Sequence, residues 1–320
     1  MSPAVADPVL IPRRVTRAER IAEDIHLFEL RDPAGGELPE FSAGAHVSLK
    51  VPNGLIRKYS LCNDPAERDR YLIAVKREAG GRGGSESLIR DVGEGAEVLV
   101  SAPANNFALA KSPAGYLFVA GGIGITPIMA MIRQLTAEGG RFRLCYCTRT
   151  AAATAFRDEL LAPELRGKVK IHHDGGDLAK ALDLWPVVEK PQGHLYCCGP
   201  RGLMQSVRDM TGHWSPSAVH FEAFTEAAEP KPDDKPFTVR LAKSGGSVAV
   251  PVGTTILEAL RDHGLDVPSS CESGTCGTCR TTLLAGEADH RDFVLMDDEQ
   301  ATNIMVCISR AKTDEIVIDR

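Results

Sequence analysis

Short runs in which apolar and polar residues alternate dominate the first third of the chain, at 25–30, 45–51, 71–77 and 97–100, with Gly, Pro and Asp clustered between them. A period of two turns one face of each run inward, and many such runs with turn signals predict an antiparallel β barrel or sandwich. From about 113 the pattern changes. Tyr116-Leu117-Phe118-Val119-Ala120 is apolar without a break, as a buried parallel strand should be. A glycine turn follows, then Ile128, Met131, Ile132 and Leu135 recur at helical spacing, with Pro127 suited to the first helical turn. Strand candidates at 142–146, 169–173, 195–198 and 219–224 alternate with helical stretches near 154–161, 178–182 and 202–210, which predicts a doubly wound α/β domain. Three prolines among mixed charges at 226–236 read as a semi-extended tether. Beyond it come a hairpin at 237–241 and 248–250, a helix opened by the capping box Thr255-Ile256-Leu257-Glu258, and a strand at 280–284. A small sheet crossed by one helix is the β-grasp arrangement. The expected domains are 1–111, 112–226 and 237–320, with 227–236 as linker.

Charge adds one asymmetry. The net charge is −6, and from 237 to 320 there are 13 Asp and Glu against 8 Lys and Arg, a balance of −5 that leaves −1 for the remainder. An acidic C-terminal domain fits either a solvated surface or a docking face for a redox partner, and it argues against nucleic acid. No apolar run is long enough for a membrane span. The first residues lack a basic start followed by an apolar block, so a cytoplasmic location is expected.

The cysteines carry the most specific chemistry. Cys271, Cys276 and Cys279 form C-x4-C-x2-C, and Cys307 follows after a gap of 27 residues. This is the plant-type ferredoxin spacing, in which four thiolates hold one [2Fe–2S] cluster. Gly274 and Gly277 let the loop wrap closely around it. A zinc site would more often show two short C-x2-C pairs. Cysteines 62, 145, 147, 197 and 198 read as small buried hydrophobes. Two segments of the β domain suit an anionic, flat ligand. Arg57-Lys58-Tyr59-Ser60 ends a strand candidate, and Gly80-Gly81-Arg82-Gly83-Gly84-Ser85-Glu86-Ser87 leads into a short helix with Ser85 or Ser87 as N-cap, a phosphate site in the making.

Three motifs in order, Arg57-Lys58-Tyr59-Ser60, Gly121-Gly122-Ile123-Gly124-Ile125-Thr126-Pro127 and Cys198-Gly199-Pro200, resemble the ferredoxin–NADP reductase superfamily. A plant-type ferredoxin at the C-terminus narrows the resemblance to the reductase components of oxygenase systems. Tyr196-Cys197-Cys198-Gly199-Pro200 and Glu287-Ala288-Asp289-His290-Arg291-Asp292 are similar to that group too, so the likeness runs essentially end to end. It implies FMN in a barrel, lined by Arg57, Lys58, Tyr59 and Ser60 and by the strand Ala74-Val75-Lys76. Arg82, Gly83, Gly84 and Ser85 would hold the phosphate, and Thr126 and Phe224 would approach the ring. NADH would lie across Gly121, Gly122 and Gly124, with Cys198, Gly199 and Pro200 near its reactive end and Thr148 and Arg149 near the adenosine. An Arg at that place could instead serve a 2′-phosphate; the resemblance favours NADH. Cys271 and Cys276 would bind one iron, Cys279 and Cys307 the other.

The resemblance also implies a function: electrons pass from NADH through FMN to the cluster and on to a Rieske-type terminal oxygenase acting on an aromatic substrate. Service to a dioxygenase, service to an O-demethylase, and a free-standing NADH:acceptor reductase are the readings it leaves open. A hydride step needs no acid–base pair, and none is expected. The protein is expected to act as a monomer.

Overall fold

A computed structural model describes residues 9–224 and 231–320. The tether expected at 227–236 therefore lies outside the described residues as far as 230. The chain divides into two compact units that part between Phe221 and Glu222.

The first unit opens with β1 (Leu10–Ala22), β2 (Ile25–Arg31), β3 (His46–Lys50), β4 (Ile56–Ser60), β5 (Tyr71–Lys76), helix α1 (Gly84–Asp91) and β6 (Glu97–Ser101). The strands form an antiparallel sheet in the order β4-β3-β6-β1-β2-β5. Its two end strands meet just past β4: Leu61 bridges Ile73, and the Cys62 N–H donates to the Leu72 carbonyl at 2.9 Å. The sheet is thereby closed into a barrel, around a core that includes Val15, Phe28, Val47, Leu49, Leu61, Tyr71, Ile73 and Val100. Closure is what brings Arg57–Ser60 and Ala74–Lys76 side by side.

The same unit continues with β7 (Tyr116–Gly121), α2 (Ile125–Ala137), β8 (Phe142–Thr148), the single turn α3 (Arg157–Leu160), β9 (Val169–His173), the single turn α4 (Trp185–Val188), β10 (His194–Cys198), α5 (Arg201–Met210) and β11 (Val219–Glu222). The stretch expected as a helix at 178–182 is a 3-10 turn instead, where the Asp177 carboxylate caps the Ala179 N–H. The sheet runs β11-β10-β7-β8-β9, with β10, β7, β8 and β9 parallel. From β7 the chain moves to β8 on one side and later returns to β10 on the other. The strand order thus reverses between β7 and β10, and in open α/β sheets ligands bind at the carboxyl ends of the strands there. Helix α2 is buried from Ile125 through Ile132. Its core joins barrel residues (Leu27, Cys62, Leu72, Ala74) to residues of the α/β half (Phe118, Ala120, Tyr146, Cys198).

The second unit contains β12 (Phe237–Leu241), β13 (Ser247–Val250), α6 (Ile256–Asp262), β14 (Arg280–Ala285), β15 (Ala288–Asp289), α7 (Asp297–Gln300), β16 (Asn303–Met305), β17 (Arg310–Ala311) and β18 (Glu315–Ile318). The main sheet is ordered β13-β12-β18-β14-β16, with β12 and β18 parallel, and β15 pairs with β17 apart from it. Helix α6 starts at the expected box: the Glu258 N–H donates to the Thr255 hydroxyl at 3.0 Å, and the Thr255 N–H donates to the Glu258 carboxylate at 2.8 Å. The result is a β-grasp domain. No described helix is long and apolar enough to cross a membrane.

Candidate functional sites for flavin, nicotinamide and iron–sulfur cluster

Strand β4 presents Arg57 and Tyr59 half-buried, Lys58 exposed and Ser60 buried. Burial pushes the Tyr59 phenol up to about 12, so it stays neutral. The glycine loop lies against this strand. A Cβ on Gly84 would stand 3.1 Å from Arg57 Nε, so the guanidinium and the start of α1 are neighbours. The N-cap of α1 is Gly83, with φ 77 in the left-handed region, and not Ser85 or Ser87. Glycine takes that conformation without a steric cost, whereas a serine would be strained there. The two hydroxyls have other partners: Ser85 Oγ accepts from the Glu78 N–H at 3.0 Å, and Ser87 Oγ donates to the Gly84 carbonyl at 3.0 Å. With no side chain capping α1, its first amides remain available to an anion beside Arg57 and the Arg82 loop. This cradle fits the phosphate end of a flavin, with Tyr59 on the adjoining strand. Ala74 and Val75 are buried on β5, and Lys76 is exposed.

Across the α/β half, two turns meet at the point where strand order reverses. A Cβ on Gly199 would lie 2.9 Å from Gly121 Cα, and one on Gly124 would overlap the Cys198 carbonyl. The glycines at 124 and 199 are needed because backbone packs on backbone there, and a Cβ on Gly121 would run into the Pro200 and Leu203 side chains. Gly122 differs: its φ is 52 and nothing surrounds the position of an added Cβ. It is the member of the turn that faces open space. Thr126 is buried and its hydroxyl donates to the Ile123 carbonyl at 3.0 Å. Cys198 is fully buried, and Pro200 is the N-cap of α5. The hydroxyl of Thr148 is enclosed by Thr154 Oγ1 at 2.8 Å and His173 Nδ1 at 2.9 Å, so this side chain orders the loop rather than facing outward. Arg149 beside it is exposed. Phe224, 43 % exposed, lies past the end of β11 at the limit of the described residues.

The four cysteines of the second unit gather as two pairs. Cys271 sits with Cys276, and Cys279 sits with Cys307. Backbone amides aim at sulfur: the Ser273 and Thr275 N–H groups reach Cys271 Sγ, each at 3.4 Å, and the Cys271 N–H reaches Cys276 Sγ at 3.5 Å. The Cys276 thiol, then these amides, hold Cys271 well below its ordinary value. Among the described residues no three Cys, His, Asp or Glu side chains are placed to hold one metal ion. Two thiol pairs ringed by amide donors fit a cluster of two irons better than a single zinc ion. The loop is backed by the 287–295 segment: the Phe293 N–H donates to the Gly274 carbonyl at 2.9 Å, and the Asp292 carboxylate accepts from the Leu295 N–H at 2.7 Å. Gly274 has φ 73, and a Cβ added there would run into Ile308 and Asp292.

Arg291 in that segment was not legible as a partner of the tether. It is buried and its guanidinium holds Asp234, with Nη1 to Oδ2 at 3.2 Å, and Asp289, with Nε to Oδ2 at 2.6 Å. Arg310 lies 3.7 Å from the same Asp234 and donates to the Lys235 carbonyl at 3.0 Å. From Lys231 onward the expected tether is thus anchored to the β-grasp domain. The other five cysteines are free thiols, and Cys62, Cys145, Cys197 and Cys198 are buried.

Comparison with known proteins covers the whole arrangement. Residues 12–109 match the oxidoreductase FAD-binding domain, 118–209 the oxidoreductase NAD-binding domain and 239–312 the 2Fe-2S iron-sulfur cluster binding domain. The chain is 57% identical to phthalate dioxygenase reductase of Burkholderia cepacia, over 96% of each chain. It is 53% identical to the phthalate 4,5-dioxygenase oxygenase reductase subunit of Pseudomonas putida, over 96% of this chain and 95% of that one. A solved structure of phthalate dioxygenase reductase, described as modular and built for electron transfer from pyridine nucleotides to [2Fe-2S], superposes with a TM-score of 0.72 at 56% identity, covering 97% and 98% of the two chains.

Proposed function

The chain belongs to the phthalate dioxygenase reductase family, and we propose that it carries electrons from NADH through FMN to its own [2Fe–2S] cluster and on to a Rieske-type terminal oxygenase. The observation that carries this reading is the shared core around α2, which gathers Leu72 and Ala74 of β5, Cys62 just past β4 and Ala120 before the glycine turn against one helix. When bound, flavin accepts the electron pair of a hydride and returns single electrons, the conversion a one-electron cluster requires. The residues supply place and charge. Arg57 and the amides opening α1 bind the phosphate end, with Arg82, Gly83, Gly84 and Ser85 forming the loop. Tyr59, Ser60, Ala74, Val75 and Lys76 border the ring, and Thr126 closes on it. Gly122 offers the open approach for the nicotinamide nucleotide, Cys198, Gly199 and Pro200 bound its reactive end, and exposed Arg149 lies at its adenosine side. Cys271 with Cys276 and Cys279 with Cys307 each take one iron, and the amides of Ser273 and Thr275 stabilise thiolate character at Cys271.

One visible spectrum before and after anaerobic NADH tests the chain of cofactors. Flavin bands with a red-brown shoulder, both bleached by NADH, and FMN released on denaturation are expected. A Cys307→Ser variant should keep NADH-to-dye reduction and lose reduction of the oxygenase. Loss of both activities together would refute this division of labour.

A further inference from the structure

We infer that Arg133 is the positioning residue for hydride transfer: it fastens the helix that begins at the nicotinamide turn to the carbonyl where the two flavin strands meet. The inference rests on the function proposed above and says which side chain sets its geometry. Helix α2 leaves the glycine turn and is buried from Ile125 through Ile132. Arg133 follows directly, seven residues after Thr126 and so on the same face. Its guanidinium makes contacts on two sides. Nη1 donates to the Cys62 carbonyl, while Nε and Nη2 take both oxygens of Glu159, at 2.7 and 2.6 Å. The Phe156 ring covers it, 5.5 Å from centroid to guanidinium carbon.

The carbonyl it grips is at the seam of the barrel. Cys62 lies two residues beyond Ser60, and its N–H and thiol both donate to the Leu72 carbonyl, at 2.9 and 3.2 Å. Leu72 in turn lies two residues before Ala74. One guanidinium therefore spans from the junction of β4 and β5 to the helix whose first residue follows Gly124, with α3 orienting it through Glu159. A hydrophobic side chain could fill this space and hold the core equally well, because an ion pair as open to solvent as Arg133–Glu159, 19% and 42% exposed, adds little net stability by itself. What arginine adds is direction, a rigid planar fork that fixes two elements at a set spacing. Spacing matters here because a displacement of about 1 Å between reacting groups can cost on the order of 100-fold in rate.

The test uses the full-length holoprotein and three readouts: rapid-mixing flavin reduction by NADH, the long-wavelength charge-transfer absorbance of the NADH–flavin complex, and the melting temperature. Arg133→Lys keeps the charge and loses the fork. It is expected to slow flavin reduction by about 10- to 100-fold, to diminish the charge-transfer absorbance, and to leave the dissociation constant for NADH and the flavin content unchanged. A variant that melts lower yet keeps the wild-type reduction rate and absorbance would overturn the inference, since a merely structural Arg133 would behave that way. Should Arg133→Lys fail to fold, Glu159→Gln decides in its place: it leaves the Cys62 contact intact and frees the fork on one side. A slowed hydride step with reduced absorbance supports the inference, and a wild-type rate overturns it. Wild-type protein without flavin, or not bleached by NADH, would instead refute the underlying function before any variant is made.

Discussion

Gly124 has no room for a methyl group, because its added Cβ would run into the Cys198 carbonyl. Gly124→Ala must therefore push the turn after β7 away from the turn after β10. A loss of about 1–3 kcal/mol is expected from overpacking of this kind, read as a lower denaturant midpoint together with weaker NADH binding. An unchanged midpoint would mean that the two turns do not pack as described. A second residue gives a pH signature. His220 stacks on Tyr196 with ring centroids 4.3 Å apart and meets His194 Nδ1 through its Nε2 at 2.8 Å. Burial, helped by His194, lowers its pKa from 6.5 to about 4. Between those values the unfolded chain binds a proton that the folded one refuses, so the contribution of His220 is whole above pH 6.5 and fades as pH falls toward 4. The melting temperature should drop across that window more steeply in the wild type than in His220→Phe, and parallel profiles would exclude His220 as the cause. The glycines were visible in the sequence as a motif, but their purpose was not. A letter G cannot distinguish open approach at Gly122 from close packing at Gly121, Gly124 and Gly199. The same blindness put the cap of α1 on a serine, when the loop needed a left-handed residue at Gly83.

At the scale of elements, legibility followed the range of the contacts. The capping box of α6 lies within four successive residues, and it formed as expected. The apolar run of β7 and the helical spacing of α2 are equally local. Strand β1, the longest at 13 residues, gave no clean alternation, since Arg13, Arg14, Arg17 and Arg20 interrupt it. Its place comes from pairing on both sides, with β2 and β6. Arg133 and Cys62 stand 71 positions apart, and Arg291 and Asp234 stand 57 apart, so neither link has a local signal. The second link makes a sharp prediction. The side chains of Arg291 and Asp234 are only 6% and 5% exposed, and removing one partner from a buried pair typically costs about 3–5 kcal/mol. Asp234→Ala should unfold the β-grasp domain earlier, followed at the visible absorbance of the cluster, with flavin release unaffected. A cluster signal that melts with the wild type would deny the clamp. The Arg291 guanidinium holds the Asp234 carboxyl below its usual 3.8, so this contribution is complete near neutrality and is lost only in strong acid.

Over the whole molecule, charge is concentrated where electrons would leave. Helix α7 alone carries Asp297, Asp298 and Glu299 in its first turn, within a domain whose balance from 237 to 320 is −5. An oxygenase that docks there by charge is reduced more slowly as salt rises, because screening shortens the reach of the field. Stopped-flow reduction of the oxygenase from low to physiological ionic strength checks this, and a flat profile would remove the acidic face from the encounter. The Arg291 clamp has a consequence for inheritance as well. The 2Fe-2S family match begins at 239, beyond Asp234, yet half of the counter-charge for a buried guanidinium lies upstream of that point. A piece cut at Phe237 would keep every strand of its sheet and still leave Arg291 short of a carboxylate. A piece cut at Lys231 would bring its own counter-ion. The portable electron carrier, the part that can be grafted onto a different host and keep its chemistry, starts before its first strand.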